Sequence, residues 1–275
     1  MDLPQADETS DAKALPPISC YIRTLNESRL IGDVVTAAQQ VAREVVVVDS
    51  GSTDGTQDIA AAAGARVISN PWPGNGHQKR VGEEACTYDW LLDLDADEIV
   101  DADLAEAIKV LFARGEPPES VYGLTLITDP PATPPWTNFC LAVRNKLYDR
   151  RKWRMPAHPA WDQLQLPKEH RPSGLDGAII HRSFRDFADL TRKFNSVSTA
   201  RAKYTKARSV LELKLRIIGA FPFYFLKHFV LRGLFRAGVY GFAVAGASAH
   251  ARWLRDVKMY ENLLISSQKN GSKRK

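Results

Sequence analysis

The sequence predicts an α/β fold: a mostly parallel sheet followed by a helical C-terminal extension rich in basic and aromatic residues. Three observations carry this. Strand-like and helix-like patterns alternate over residues 18–93, the order that layers helices against parallel strands. The run EVVVVD is continuously β-branched, as in strands covered on both faces. From residue 186 the pattern turns helical, and beyond residue 200 the charge balance reverses.

Taken in order, residues 18–22 read as a first strand. Residues 28–42 read as a helix, with Leu30, Ile31, Val34, Val35, Ala38 and Val41 at helical spacing. After the strand at 44–49, SGSTDGT is a turn ending in helix-starting residues. Residues 56–63 form an Ala-rich helix closed by Gly64, and 65–69 the next strand. A helix at 78–85 and a strand at 90–93 continue the cycle, and a helix at 102–114 leads to strands at 122–128 and 139–148 around the Pro-rich loop DPPATPP. The chain is then irregular to residue 180 and mostly helical from residue 186, with no internal repeat. The expected organisation is a disordered leader (1–16), a catalytic domain (17–200), a helical surface or cap region (201–265) and a disordered basic tail (266–275).

At 275 residues, 44% hydrophobic and 25% charged, the chain can bury a sizeable core and is not a disordered polymer. Three cysteines at unmatched spacings, Cys20, Cys86 and Cys140, argue against a disulfide framework or a cysteine zinc site. The opening MDLPQADETSDAKALPP is acidic and polar where a secretory signal would be basic and then apolar, so no export is expected. The net charge of +5 conceals an asymmetry: residues 201–258 hold twelve Lys and Arg against Glu212 and Asp256, whereas residues 1–200 hold 21 against 29 acids. A basic region beside an acidic one suits an anionic lipid surface, nucleic acid or another acidic partner. Its charge-free runs, 217–226 and 237–251, stop short of the ~18 to 20 apolar residues of a spanning helix.

Carboxylates stand at two predicted strand ends. Asp49 closes VVVVD, and Asp93, Asp95, Asp97 and Glu98 crowd LLDLDADE. Asp95 and Asp97 in a strand-end turn can aim at one point, and paired hard oxygens suit Mg²⁺ or Mn²⁺. Four acids in six residues repel unless a cation or donors neutralise them; a solvated acidic turn before the helix at 102 is the plainer alternative. In NPWPGNGHQKRVGEEA, Gln78, Lys79 and Arg80 begin a helix after a Gly-rich loop, a ready phosphate site or an ordinary turn with solvated cations.

Together, ISCYIRTLNES, VVVVDSGSTDGT and WLLDLDADE resemble the glycosyltransferase family 2 signature, and LDADE is most similar to the lipopolysaccharide-core members of that family. The resemblance implies a GT-A fold (a Rossmann-like, mostly parallel nucleotide-diphospho-sugar transferase sheet) and metal-dependent, inverting transfer from a nucleotide-sugar, taken as a UDP-hexose. It implies that Thr24, Leu25, Asn26 and Glu27 border the nucleotide, that Asp49 bonds the base or ribose, and that Gln78, Lys79 and Arg80 face the nucleotide. Asp95 and Asp97 would be the D-x-D pair, Asp97 the direct metal ligand and Asp95 nearer the sugar or ribose. His181, before Phe184, would complete the shell around Mg²⁺ or Mn²⁺; a hydrogen-bonded surface histidine is the alternative. Inversion needs a base. Relatives carry a Val-His-Glu-x-Leu segment with which Ala160-Trp161-Asp162-Gln163-Leu164 aligns by its leucine, so Asp162 would be that base, with His158 as second choice.

Residues 211–260 interleave Phe, Tyr, Leu and Ile with Lys and Arg, the composition of an in-plane membrane-surface element or of a helical cap. The expected partners are a nucleotide-sugar donor, a lipid-linked glycan acceptor and an anionic membrane surface, at the cytoplasmic face of the inner membrane. Two other readings compete: sugar transfer to a polyprenyl phosphate, and a non-enzymatic protein that tracks nucleic-acid phosphates with residues 201–258. No nucleic acid is expected, because the cations are interleaved with large apolar side chains and the rest of the chain is acidic.

Overall fold

The computed structural model describes residues 15–206 and 208–272. Nearly all of the leader and the end of the tail lie outside these. Nine strands form one sheet in the order β3-β2-β1-β4-β7-β6-β9-β5, with β8 paired to β6. Strands β1 (Ile18–Thr24), β2 (Glu44–Asp49), β3 (Arg66–Ser69) and β4 (Trp90–Asp95) are parallel. This is the half the alternating pattern predicts. Its β-branched centre is buried, with Val46, Val47 and Val48 fully enclosed. Helices α1 (Ile31–Ala38), α2 (Thr56–Ala62) and α3 (Asn75–Ala85) make the crossovers. Helix α1 is shorter than its apolar spacing suggests: amides of Leu30 and Ile31 first turn onto the Glu27 carbonyl, and the chain after Ala38 closes in short turns.

The other half of the sheet is mixed. Strand β5 (Glu98–Val100) follows β4 after a turn at Ala96 and Asp97, helix α4 (Ala102–Ala113) is capped by Asp101, and β6 (Val121–Thr128) and β7 (Ala142–Asp149) pair antiparallel. Strand β7 closes against β4, while β8 (Ser173–Gly174) and β9 (Ile179–His181) run parallel to β6, with β9 also antiparallel to β5. The β5–β9 pairing sets Glu98 opposite His181.

A helical layer begins at α5 (Phe187–Tyr204), somewhat before the expected boundary at 201. Helix α6 (Val210–Leu226) starts with the Glu212 amide donating to Ser209 Oγ at 3.1 Å, a Ser-x-x-Glu start signal, and continues through Pro222 into a π turn (Lys227–Leu231) and a 3₁₀ turn (Leu234–Ala237). Helix α7 (Gly238–Ser272) extends into the tail expected to be disordered. Lys258 pins α7 to α5 by donating to Ser198 Oγ at 2.8 Å and Thr199 Oγ1 at 2.7 Å. Buried Asp256 accepts from Arg216 of α6 at 2.9 Å. Among the described residues no single helix is long and apolar enough to cross a membrane; the segments Val210–Leu231 and Leu234–Ser267 pass by composition together but meet at 76°.

Candidate active site

Parallel register brings the sequence-predicted strand ends side by side: Thr24 lies opposite Asp49, and Arg23 opposite Asp95. The acidic run divides into two parts. Asp93, Asp95 and Glu98 point inward and each meets a fixed cation: Lys79 Nζ lies 2.8 Å from Asp93, Arg23 Nε 2.7 Å from Asp95, and Lys146 Nζ 2.7 Å from Glu98. Lys79 also lies 3.4 Å from Asp95. The mutual repulsion that would call for a metal is thus largely answered by the chain itself. Burial opposes the charge on Arg23, yet Asp95 and Asp162 outweigh it and raise its pKa. Burial likewise opposes ionisation of Asp95, but Arg23, Lys79 and Lys146 hold its carboxyl well below the usual range. At Glu98 burial prevails over Lys146 and the pKa rises.

Asp97 stands outside this lattice. Its carboxylate is 3.4 Å from His181 Nε2, and the Arg182 amide fastens the turn by donating to the Asp97 carbonyl at 2.9 Å. Although burial opposes protonation of His181, the hydrogen bond its ring N–H donates to Asp97 raises its pKa. Among the described residues no three His, Cys, Asp or Glu side chains converge as a ready cation site. Of the three residues expected at Mg²⁺ or Mn²⁺, Asp97 and His181 come together, a hard carboxylate oxygen and an imidazole nitrogen that could ligate such an ion. Asp95 is held by Arg23 at both oxygens, at 2.7 and 3.3 Å, and stands apart from that pair.

On the expected nucleotide side, Thr24 Oγ1 is buried without a hydrogen-bond partner among the described residues, and Leu25 is exposed. Asn26, at φ +52°, accepts the Thr53 amide at 2.9 Å and so ties the first loop to SGSTDGT. Glu27 is nearly buried and paired with Arg185 at 3.0 Å. Asp49 organises its own turn: Oδ1 accepts from the Gly51 and Ser52 amides and from Gln57 Nε2, and Oδ2 from Ser52 Oγ. Gln78 links Ser50 and Asn70. Arg80 points away, donating to the Met155 carbonyl at 2.7 Å. Of the three helix residues expected to face the nucleotide, Lys79 alone lines the acid cavity.

The start of α3 is put to a use the sequence did not suggest. Amides of Asn75 and Gly76 donate to the carbonyls of Pro159 and His158, each at 2.9 Å, so these donors hold a loop where a phosphate was envisaged. A Cβ on Gly76 would lie 2.2 Å from the carbonyl oxygens of Pro156 and Trp161, and one on Gly74 would lie 2.5 Å from Pro159. His158 stabilises the same loop, Nδ1 accepting from the Ala160 and Trp161 amides at 3.0 Å. The loop delivers Asp162 to Arg23, whose Nη2 donates to it at 2.8 Å. Asp162, Asp95, Lys79 and His181 thereby share a cavity of about 270 Å³ with Arg144, Lys146 and Arg201.

Sequence reasoning missed Arg23, Lys146 and Arg201. The signal for Arg23 was a lone cation inside an otherwise apolar strand, in YIRTL. Such a residue is almost never fully buried without a carboxylate to meet it. Lys146, two residues after Arg144 in AVRNKLYD, carried no such signal.

The chain was compared with known proteins. Residues 19–161 match the family model "Glycosyl transferase family 2". An uncharacterized glycosyltransferase of Rickettsia felis is 31% identical over 260 residues, 90% of this chain and 91% of the relative. A lipopolysaccharide core biosynthesis glycosyltransferase of Rhizobium meliloti is 28% identical over 264 residues, 92% and 96% of the two chains. Among solved structures, glucosyl-3-phosphoglycerate synthase of Mycobacterium tuberculosis, in complex with Mn²⁺, uridine-diphosphate and phosphoglyceric acid, is 27% identical with a TM-score of 0.32. That match covers 42% of this chain and 44% of the other, less than half of each. With its family signature on the parallel strand ends and full-length relatives alongside, the chain belongs to glycosyl transferase family 2 and is a glycosyltransferase.

Proposed function

We propose that the protein transfers a hexose, with inversion, from a nucleotide-sugar such as a UDP-hexose to a lipopolysaccharide-core or related lipid-linked glycan. The observation that carries this reading is the Arg23 clamp: one guanidinium holds Asp95 of the D-x-D pair and Asp162 of the distant loop across one cavity. Donor chemistry on the strand ends is thereby set against a carboxylate able to accept a proton. The lipopolysaccharide core relative from Rhizobium meliloti supports the acceptor class.

In this mechanism the loops after β1 and β2 receive the nucleotide, with Thr24 Oγ1 free to bond it. Asp97 and His181 would hold Mg²⁺ or Mn²⁺, which would supply positive charge against the departing diphosphate. Asp162 takes the proton of the acceptor hydroxyl at its carboxylate, while Arg23 fixes its position. Lys79 and Arg23 keep Asp95 ionised and oriented toward the cavity. The helical layer seats the enzyme on an anionic membrane at the cytoplasmic face: Ile218, Leu231 and Val239 are 78%, 80% and 87% exposed, amid exposed Phe223, Phe235 and Phe242.

The test is a donor screen that follows nucleoside diphosphate release with and without Mn²⁺, then transfer of labelled sugar to rough lipopolysaccharide or polyprenyl phosphate. Release that is stimulated by the metal and by rough lipopolysaccharide is expected. Labelling of polyprenyl phosphate instead would replace the acceptor, and no release from any nucleotide-sugar would overturn the reading.

A further inference from the structure

A second cavity, of about 320 Å³, lies between the sheet and the helical layer, and Arg201 belongs to its wall and to that of the acid cavity. One side is apolar, with buried Trp136, Phe184 and Leu190. The other carries Arg201, Arg252 and Arg255. Only Arg255 has a carboxylate, Asp256 at 2.8 Å, and Asp256 must also serve Arg216 at 2.9 Å. Among the described residues no carboxylate pairs with Arg201 or Arg252, although both are half-buried. Burial lowers the pKa of each, and their neighbouring arginines lower it further. His228 on the same wall is pushed down to about 4 by burial and by Arg232, Arg252 and Lys227. Half-buried like charges repel one another and lose hydration; the acid cavity meets the same problem with a paired counter-charge for each carboxylate, whereas here Asp162 and Asp256 only partly offset Arg201 and Arg252 and, among the described residues, neither pairs with them.

We infer that this cavity binds an amphiphilic anion, a phosphate group on Arg201 and Arg252 with an apolar chain against Trp136 and Phe184, and that this is the anchoring part of the sugar acceptor. Its role as acceptor rests on the transfer reading above; its chemistry does not. Arg201 joins the two cavities, so an acceptor anchored here extends its glycan toward Asp162. A soluble sugar phosphate would present the same anion without the apolar chain, and the two sources are separable.

The experiment is calorimetric titration of the full chain with dodecyl phosphate below its micelle concentration, with inorganic phosphate, and with dodecyl maltoside as an uncharged amphiphile. Saturable binding of dodecyl phosphate is expected, at least tenfold tighter than either comparison ligand. Arg201→Gln and Arg252→Gln should each weaken it by about tenfold or more, the worth of a charged hydrogen bond. Lys214→Gln, an exposed cation of α6, should leave it unchanged. Removing an unpaired like charge should also keep or raise the melting temperature of Arg252→Gln, so weakened binding there cannot come from unfolding. Equal binding of inorganic and dodecyl phosphate would overturn the amphiphile, and equal losses in Lys214→Gln would overturn the site. Titration with UDP separates the two readings: UDP binding without dodecyl phosphate binding defeats the cavity alone, and the reverse defeats the transfer reading alone.

Discussion

The two charged regions of this enzyme face the same electrostatic difficulty with opposite signs and resolve it differently. At the carboxyl ends of the strands, Asp93, Asp95 and Glu98 are each matched by Lys79, Arg23 or Lys146 at 2.7–2.8 Å. In the helical layer Arg201 and Arg252 crowd a cavity with Asp256 as its nearby carboxylate, already shared between two other arginines. The first region is a finished lattice that positions groups. The second is charged in excess and is completed by a ligand. The lesson concerns reading charge: a dense acidic motif need not be unbalanced, and a diffuse basic one need not be solvated.

The most severe way to break this comparison is at the two carboxylates proposed to take the proton and to hold the metal. Asp162→Asn should lower transfer by about 10² to 10⁴ with donor binding unchanged, the usual worth of a positioned base. Near-normal rates would move that role to His158 or elsewhere. Asp97→Ala should abolish metal-stimulated transfer while thermal unfolding stays close to wild type; full activity would remove Asp97 from the metal site. Next comes stability. Lys146→Met leaves Glu98 buried without its cation, while Asp93 keeps Lys79, and should cost about 3–5 kcal/mol in urea unfolding. If it costs no more than Arg252→Gln, the two regions do not differ as described.

Smaller effects probe the helical layer. Vesicles containing anionic lipid should bind the protein and release it as salt rises, because each surface cation contributes about 1 kcal/mol within the Debye length. Equal partition onto neutral vesicles would make the layer a cap alone. Smallest is the pH response of His228. Its folded pKa, about 4, lies below the ordinary 6.5, so the unfolded chain takes up the proton first. Its contribution to stability is complete above pH 6.5 and is lost as pH falls toward 4. His228→Gln should flatten that portion of the stability profile; an unchanged slope would mean the cavity is less positive than its arginines indicate.

The parallel half of the fold was legible because each strand carries its own apolar run and each helix its own spacing. Strand β5 was not, since three residues become a strand only by pairing with β9, about eighty residues onward. The acidic cluster was legible where it sits at the end of β4 and in the turn after it, as with Asp95 and Asp97. Its partners Arg23 and Lys146 were illegible, because a cation in a strand looks the same whether it faces solvent or a buried acid. Lys79 and Arg80 show the limit most directly: adjacent on α3, they project about 100° apart, one into the cavity and one onto a loop carbonyl.

The clasp between α3 and the Asp162 loop bears on how such an enzyme can change. What fixes that loop is main chain meeting main chain, two amides against two carbonyls, at a closeness that Gly74 and Gly76 permit. Side chains reinforce that backbone clasp: His158 Nδ1 accepts the Ala160 and Trp161 amides, and Asn75 Nδ2 donates to the Ala160 carbonyl at 3.2 Å. A change of side chain at Trp161 or Asp162 leaves the two main-chain bonds in place, whereas a single methyl group on Gly76 would displace the whole segment. The two glycines thus set how far Asp162 stands from Arg23.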